Sequence, residues 1–144
     1  MNNKLTIREI KDQSELKDIF NIRREVFVKE QNIQEDIAID NEDNKSIHIL
    51  VLLGKKPIGC ARIRIINQSA KLERIAILKE YRGMGYGKDL VDFLVKFCLS
   101  KGITNVYMNA QYYLKDFYSG IGFKEEGQAF NEAGIKHIKM EYAI

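Results

Sequence analysis

The sequence predicts a mixed α/β fold in which a mostly antiparallel sheet is flanked by helices. Two observations carry the prediction. The periodicity changes along the chain in the order strand, helix, a meander of strands, helix, strand, short helix and two final strands, which lacks the strict βαβα alternation of a dinucleotide fold. The 144 residues are 45% hydrophobic and 30% charged with one proline, the composition of one compact domain spanning 1–144.

The first strand is read at residues 5–10, where Leu5, Ile7 and Ile10 are set among Thr6, Arg8 and Glu9. Asp12 with Glu15 three residues on predicts a capping box, and Leu16, Ile19, Phe20, Arg23, Val26 and Phe27 recur at helical spacing as far as Val28. Residues 29–46 are polar and acidic and predict a long irregular loop with room for a helical turn, a candidate substrate lid, since loops beyond about 12 to 15 residues in a compact domain are usually functional or mobile.

Residues 47–53 and 58–66 form a hairpin across the Gly54-Lys55-Lys56-Pro57 turn, with Arg62 and Arg64 expected to point outward. After a turn at Asn67-Gln68-Ser69, residues 71–78 extend the meander. A helix follows over 85–101, its apolar face built by Leu90, Val91, Leu94, Phe97 and Cys98 and its end marked by Gly102. Residues 103–109 predict a strand and 112–119 a short helix. Strands beginning at Phe123 and covering 137–142 close the order.

A chain of this length buries roughly two-thirds of its unfolded surface and needs no staple, so Cys60 and Cys98 are expected to be plain buried thiols. Neither they nor His48 and His137 have zinc-ligand spacing, and no metal is expected. The net charge is +3 with no long block of one sign, which argues against a nucleic-acid partner. No segment approaches the roughly 18 apolar residues of a membrane span, and Met1-Asn2-Asn3-Lys4 does not open a signal-peptide core. A cytoplasmic protein, monomer or homodimer, is expected.

The strongest local feature is Tyr81-Arg82-Gly83-Met84-Gly85-Tyr86-Gly87-Lys88, between a strand and an amphipathic helix. Glycines admit positive φ and close approach of a ligand, and the first-turn amides of a helix form an anion site, so the segment fits a pyrophosphate flanked by Arg82 and Lys88. The competing reading is a turn that only connects. A P-loop is excluded because Arg82 and Asp89 stand where its Gly and Ser or Thr belong; a dinucleotide loop is excluded because Lys88 or Leu90 replaces the third glycine.

What fits is Arg82-x-x-Gly85-x-Gly87, which resembles the coenzyme A pyrophosphate loop of the GNAT family of N-acyltransferases. Downstream, Asp116-Phe117-Tyr118-Ser119-Gly120-Ile121-Gly122-Phe123 is similar to that family's Phe-Tyr-x-x-x-Gly-Phe segment, and the element order agrees over nearly the whole chain. Residues Val26-Phe27-Val28-Lys29-Glu30-Gln31 and Glu132-Ala133-Gly134-Ile135-Lys136-His137 are similar to a small bacterial single-domain subgroup. Many members carry an Asn seven residues before the tyrosine; Gln111 stands there, with Asn109 two residues earlier, and either is a candidate coenzyme contact.

The resemblance implies an acetyl-CoA-dependent N-acetyltransferase acting on a primary amine of a small molecule, or of a peptide. It implies main-chain contacts to the pantetheine arm from Ile75, Ala76 and Ile77, and pyrophosphate contacts across Arg82, Gly83, Met84, Gly85, Tyr86, Gly87 and Lys88. Tyr118 is the candidate general acid for the departing thiolate, or else an anchor of its short helix. Glu73 is the candidate base, placed by alternation on one strand face with Ile75 and Ile77; the competing reading is a cross-strand ion pair with Arg62 or Arg64. Phe27, Glu30, Gln31, Glu132 and His137 are candidate acceptor contacts, with a structural residue the competing reading of His137; the acidic run Glu35, Asp36, Asp40, Glu42 and Asp43 is either an attractor of a cationic amine or, the favoured reading, a solvated loop. An acetyl-CoA sensor of the same fold is the alternative, because fold does not fix function. Transfer of a longer acyl chain, or to oxygen, is a third reading.

Overall fold

The computed structural model describes residues 4–143; residues 1–3, part of the segment expected to open no signal peptide, lie outside the described residues. The strands are β1 (Leu5–Glu9), β2 (Ile47–Leu53), β3 (Lys56–Ile66), β4 (Ser69–Ile77), β5 (Val106–Gln111), β6 (Phe123–Glu132) and β7 (Ile135–Tyr142), lying side by side in the order β1-β2-β3-β4-β5-β7-β6. Neighbours are antiparallel except β4 and β5, so the mixed, mostly antiparallel sheet is as expected.

The helices are α1 (Leu16–Arg23), α2 (Glu35–Ala38), α3 (Tyr86–Ser100) and α4 (Lys115–Ser119). Strict alternation in β2 supplies both sheet faces: Ile49 and Val51 join the core under α3, while Leu50 joins the core under α1. On α3, Leu90, Val91, Leu94, Val95 and Cys98 are buried, each of the larger ones worth about 1.5–3 kcal/mol of burial. Gly102 ends this helix at φ +80, where the amides of Gly102 and Ile103 close onto the carbonyls of Leu99 and Cys98. The two cysteines are buried and unpaired, and burial raises both thiols to about 11.

Four expectations are corrected. Asp12 caps a single 3-10 turn over Gln13–Glu15, but the Glu15 carboxylate accepts from the Lys11 amide and pairs with Arg8 rather than closing a box on Asp12. Beyond α1 the helix widens into a π-helical segment (Arg24–Glu30), which apolar periodicity does not distinguish from an α-helix. Residues 29–46 are not wholly irregular: they contain α2 and a 3-10 helix (Asn41–Lys45) whose capping box joins Asp40 and Asp43. Arg62 does not point outward but is 1% exposed, because Asp40, Asp43 and Glu73 surround its guanidinium.

The pairing of β3 with β4 carries a bulge. Glu73 pairs with Arg62 and Ala76 with Cys60, so β4 takes three residues where β3 takes two. The extra residue lies at Arg74, which adopts φ +55. The phase of β4 shifts there: Leu72 and Ile77 lie in the α3-side core and Ala76 in the α1-side core. The expected face shared by Glu73, Ile75 and Ile77 is therefore corrected, since the bulge interrupts the alternation between them.

Candidate active site

The parallel pairing of β4 with β5 covers only Ala70, Leu72 and the residue between them against Val106, Tyr107 and Met108. Past that point β5 continues against β7 while the bulged half of β4 diverges. A cavity of about 910 Å³ occupies the resulting wedge, lined among others by Ile75, Ala76, Ile77, Tyr118 and the glycine loop.

At one end stands the start of α3. Gly85 is its N-cap at φ +85 and Gly83 lies at φ +80, conformations that a side chain adopts only under strain. No side chain caps the helix, and Asp89 is the first residue to donate back, to the Gly85 carbonyl at 3.1 Å. The amides before it are thus left to an outside acceptor, reinforced by the helix dipole. Gly83, Gly85, Gly87 and Lys88 line the cavity, whereas Met84 is exposed and Tyr86 packs on the core. The Lys88 ammonium lies 2.9 Å from Asp92, one turn along the helix. Arg82 donates from Nε to the Ile77 carbonyl at 2.9 Å, and its two terminal nitrogens each meet an oxygen of Glu30 at 2.9 Å.

Tyr118 comes from α4, edge-on to Phe117 and Phe123, and is 6% exposed. Burial, with a smaller contribution from Tyr113, holds its phenol well above the ordinary range, so the hydroxyl keeps its proton. Its ring lines the cavity beside β4.

Glu73 is placed otherwise than a base requires. Its carboxylate lies 2.6 Å from Arg64, 2.9 Å from Arg62 and 3.1 Å from Lys71. Burial alone would raise its pKa, but the Arg64 hydrogen bonds and the charges of Arg62 and Lys71 outweigh that and hold it at about 2. The ion-pair reading is the one the geometry contains. The acidic run is also corrected: Asp43 pairs with buried Arg23 at 2.8 Å, and Asp40 bridges Arg62 and Arg74, so these two are internal counter-ions rather than a solvated lure. Arg74 further donates to the carbonyls of Ile37 and Ala38, fastening α2 to the bulge.

The five acceptor candidates do converge. Phe27, Glu30, Gln31, Glu132 and His137 all line the cavity although they come from the π-helical segment and from the β6–β7 hairpin. The amides of Gln31 and Gln111 exchange hydrogen bonds at 2.9 and 3.3 Å, joining the π-helical segment to the end of β5. Gln111 is thereby engaged within the protein, while Asn109 lines the cavity without a hydrogen bond from its side chain among the described residues. His137 donates from Nδ1 to the Ile135 carbonyl at 2.7 Å and stacks on Phe130.

The sequence reading missed the π-helical segment, the grip of Arg74 on α2, and Tyr113, Leu114 and Phe117 as cavity walls. The Phe117-Tyr118 pair carried a signal for the last of these; the other two had none. Among the described residues no group of three or more His, Cys, Asp or Glu is arranged to hold a metal, and no helix is long and apolar enough to cross a membrane.

Comparison with known proteins places the chain in a family. The family model described as an acetyltransferase (GNAT) domain matches residues 8–144. YjcF of Bacillus subtilis, named an uncharacterized N-acetyltransferase, is 40% identical over 131 residues, covering 90% of this chain and 94% of YjcF. The crystal structure of Escherichia coli ElaA superposes with a TM-score of 0.87 at 25% identity, covering 97% of this chain and all of ElaA (100%). The PaiA N-acetyltransferase of Thermoplasma acidophilum, solved in complex with coenzyme A, shares the fold with a TM-score of 0.76 at 19% identity, covering 98% and 99% of the two chains. The chain belongs to the GNAT acetyltransferase family and is an acyltransferase enzyme.

Proposed function

We propose that the protein transfers an acetyl group from acetyl-CoA to a primary amine of a small molecule by direct attack on the thioester, acting as one domain over residues 1–144. The observation that carries this reading is the meeting, in one cavity, of an uncapped glycine-rich start of α3, the half of β4 that does not pair with β5, and Tyr118. Gly83, Gly85 and Gly87, with the first-turn amides, accept the pyrophosphate; PaiA, solved with coenzyme A, has the same fold. Ile75, Ala76 and Ile77, the last with its carbonyl already taken by Arg82, are the main-chain partners of the pantetheine arm on this reading, in the manner of an added strand. Tyr118, protonated across the working range, donates to the sulfur as the C–S bond breaks.

Calorimetric titration with acetyl-CoA, beside ATP and NAD, tests the coenzyme. One-site binding to acetyl-CoA alone is expected, followed by release of free thiol when small primary amines are supplied. Binding without thiol release for any amine would leave a sensor.

A further inference from the structure

With Glu73 held as a carboxylate by three cations, the acceptor ammonium needs another proton acceptor. We infer that His137 is that catalytic base, an assignment that rests on the acetyl-transfer reading.

Three features of the imidazole carry the inference. First, its hydrogen is fixed. Nδ1 lies 2.7 Å from the Ile135 carbonyl oxygen, which only accepts, so the hydrogen is on Nδ1 and the lone pair of the neutral ring is on Nε2. Second, Nε2 is available. His137 lines the cavity, and the contact to Ile135 is its one hydrogen bond among the described residues. The ring is held by stacking on Phe130, centroids 6.0 Å apart and planes at 24°, with only 8% of the side chain exposed. Third, a positive charge at Nε2 has a partner. Glu132 Oε2 lies 3.8 Å away, beyond hydrogen-bond distance but within ion-pair range. This pairing of a base with an orienting acceptor is the arrangement proton transfer in enzymes uses. Among the described residues Glu132 is the one acidic group within 4.0 Å of Nε2; opposite His137 on β5 stands Gln111, bonded to Gln31, and neither of these titrates.

The protons balance. The acceptor R-NH₃⁺ gives one proton to His137 Nε2 and becomes a nucleophilic amine, whose nitrogen forms the C–N bond at the thioester carbonyl carbon. As the C–S bond breaks, the sulfur takes the Tyr118 hydroxyl proton, and Tyr118 is restored by the second proton leaving nitrogen. The products are the amide and the free thiol, with the proton on His137 returned to solvent.

The test compares the wild type with His137→Asn, whose amide nitrogen keeps a donor near the position of Nδ1 but which has no base at Nε2. Acetyl-CoA and a panel of small primary alkylamines are the probes, with thiol release, calorimetric coenzyme affinity and thermal midpoint as readouts. At pH 7 turnover by H137N is expected to fall about 100-fold, the low end of what general-base catalysis supplies, with coenzyme affinity unchanged and the midpoint lowered only by loss of the stacking on Phe130. The deficit is expected to shrink near pH 10, where roughly a quarter of an alkylamine is already neutral, against less than about 0.1% at pH 7. Turnover by H137N within threefold of wild type at pH 7, or a deficit that does not change with pH, overturns the inference. Should H137N fail to fold, His137→Gln, which puts an amide near the position of Nε2, takes its place under the same criteria. A wild type that releases thiol while H137N matches it defeats the base alone; a wild type that binds acetyl-CoA and acetylates no amine defeats the acetyl-transfer reading and the base with it.

Discussion

Arg82 and Glu30 face one another in a two-point ion pair, both terminal guanidinium nitrogens lying 2.9 Å from a carboxylate oxygen, and so join the glycine loop to the π-helical wall of the cavity. The pair sets a coenzyme candidate against an acceptor candidate, so occupancy at one end bears on the other. Its side chains are 42% and 31% exposed, which limits its contribution to stability to about 0–1 kcal/mol.

Replacing Glu30 by Gln frees Arg82 for the pyrophosphate and loosens the acceptor wall. The expected outcome is a coenzyme affinity equal to or a few-fold above wild type together with a higher KM for the amine. Steady-state kinetics with each substrate varied in turn checks it, and a KM for the amine that does not move would dissociate the pair from the acceptor.

Gly85→Asp sets a side chain at φ +85 and a negative charge where the first-turn amides collect an anion. No protein atom lies within 4 Å of the added Cβ, so the cost to folding is confined to backbone strain of about 1–2 kcal/mol. Acetyl-CoA binding measured by calorimetry is expected to be abolished in a folded variant, with Gly85→Ala retaining weaker binding.

Tyr118→Phe removes the hydroxyl and leaves the ring edge-on to Phe117 and Phe123. Turnover is expected to fall by about 10²-fold or more with coenzyme affinity intact. Single-turnover measurements separate this from a binding defect, and a wild-type rate would leave the tyrosine as an anchor of α4.

Acid stability depends on Glu73. Its carboxyl titrates near 4.5 when unperturbed and at about 2 in the fold, so between those values the unfolded chain binds the proton more readily. The stability it contributes, on the order of 3 kcal/mol, is whole above pH 4.5 and is lost as the pH falls toward 2. Glu15, held at about 2 chiefly by its hydrogen bonds to Arg8, acts in the same sense. Denaturant melts from pH 7 to about pH 2.5 are expected to show Glu73→Gln less stable at neutrality and flatter with acidification, since it leaves Arg62 short of a buried counter-ion.

Arg74 offers a separate test of the bulge. Its φ of +55 favours glycine, while its guanidinium holds Ile37, Ala38 and Asp40. Arg74→Ala loses the grip and keeps the strain, so it is expected to be less stable than Arg74→Gly by about 1 kcal/mol. Both variants are expected to speed hydrogen exchange in α2.

The sequence by itself determined the order of elements, the sheet class, and the glycine loop with Tyr118 downstream, because these depend on local periodicity, turn chemistry and short spacings. Even the gathering of Phe27, Glu30, Gln31, Glu132 and His137 was legible as an expectation drawn from resemblance. Only the tertiary structure decided which charged residues are buried partners. Arg62 and Glu73 are adjacent through strand pairing, and Asp40 and Asp43 reach them from a segment whose composition alone read as a solvated loop. A single extra residue at Arg74 reversed the facing of half of β4, a change that pairing imposes on a strand. Alternation assigns a side chain to a face; charge partners and bulges belong to what lies across the gap, which no local pattern records.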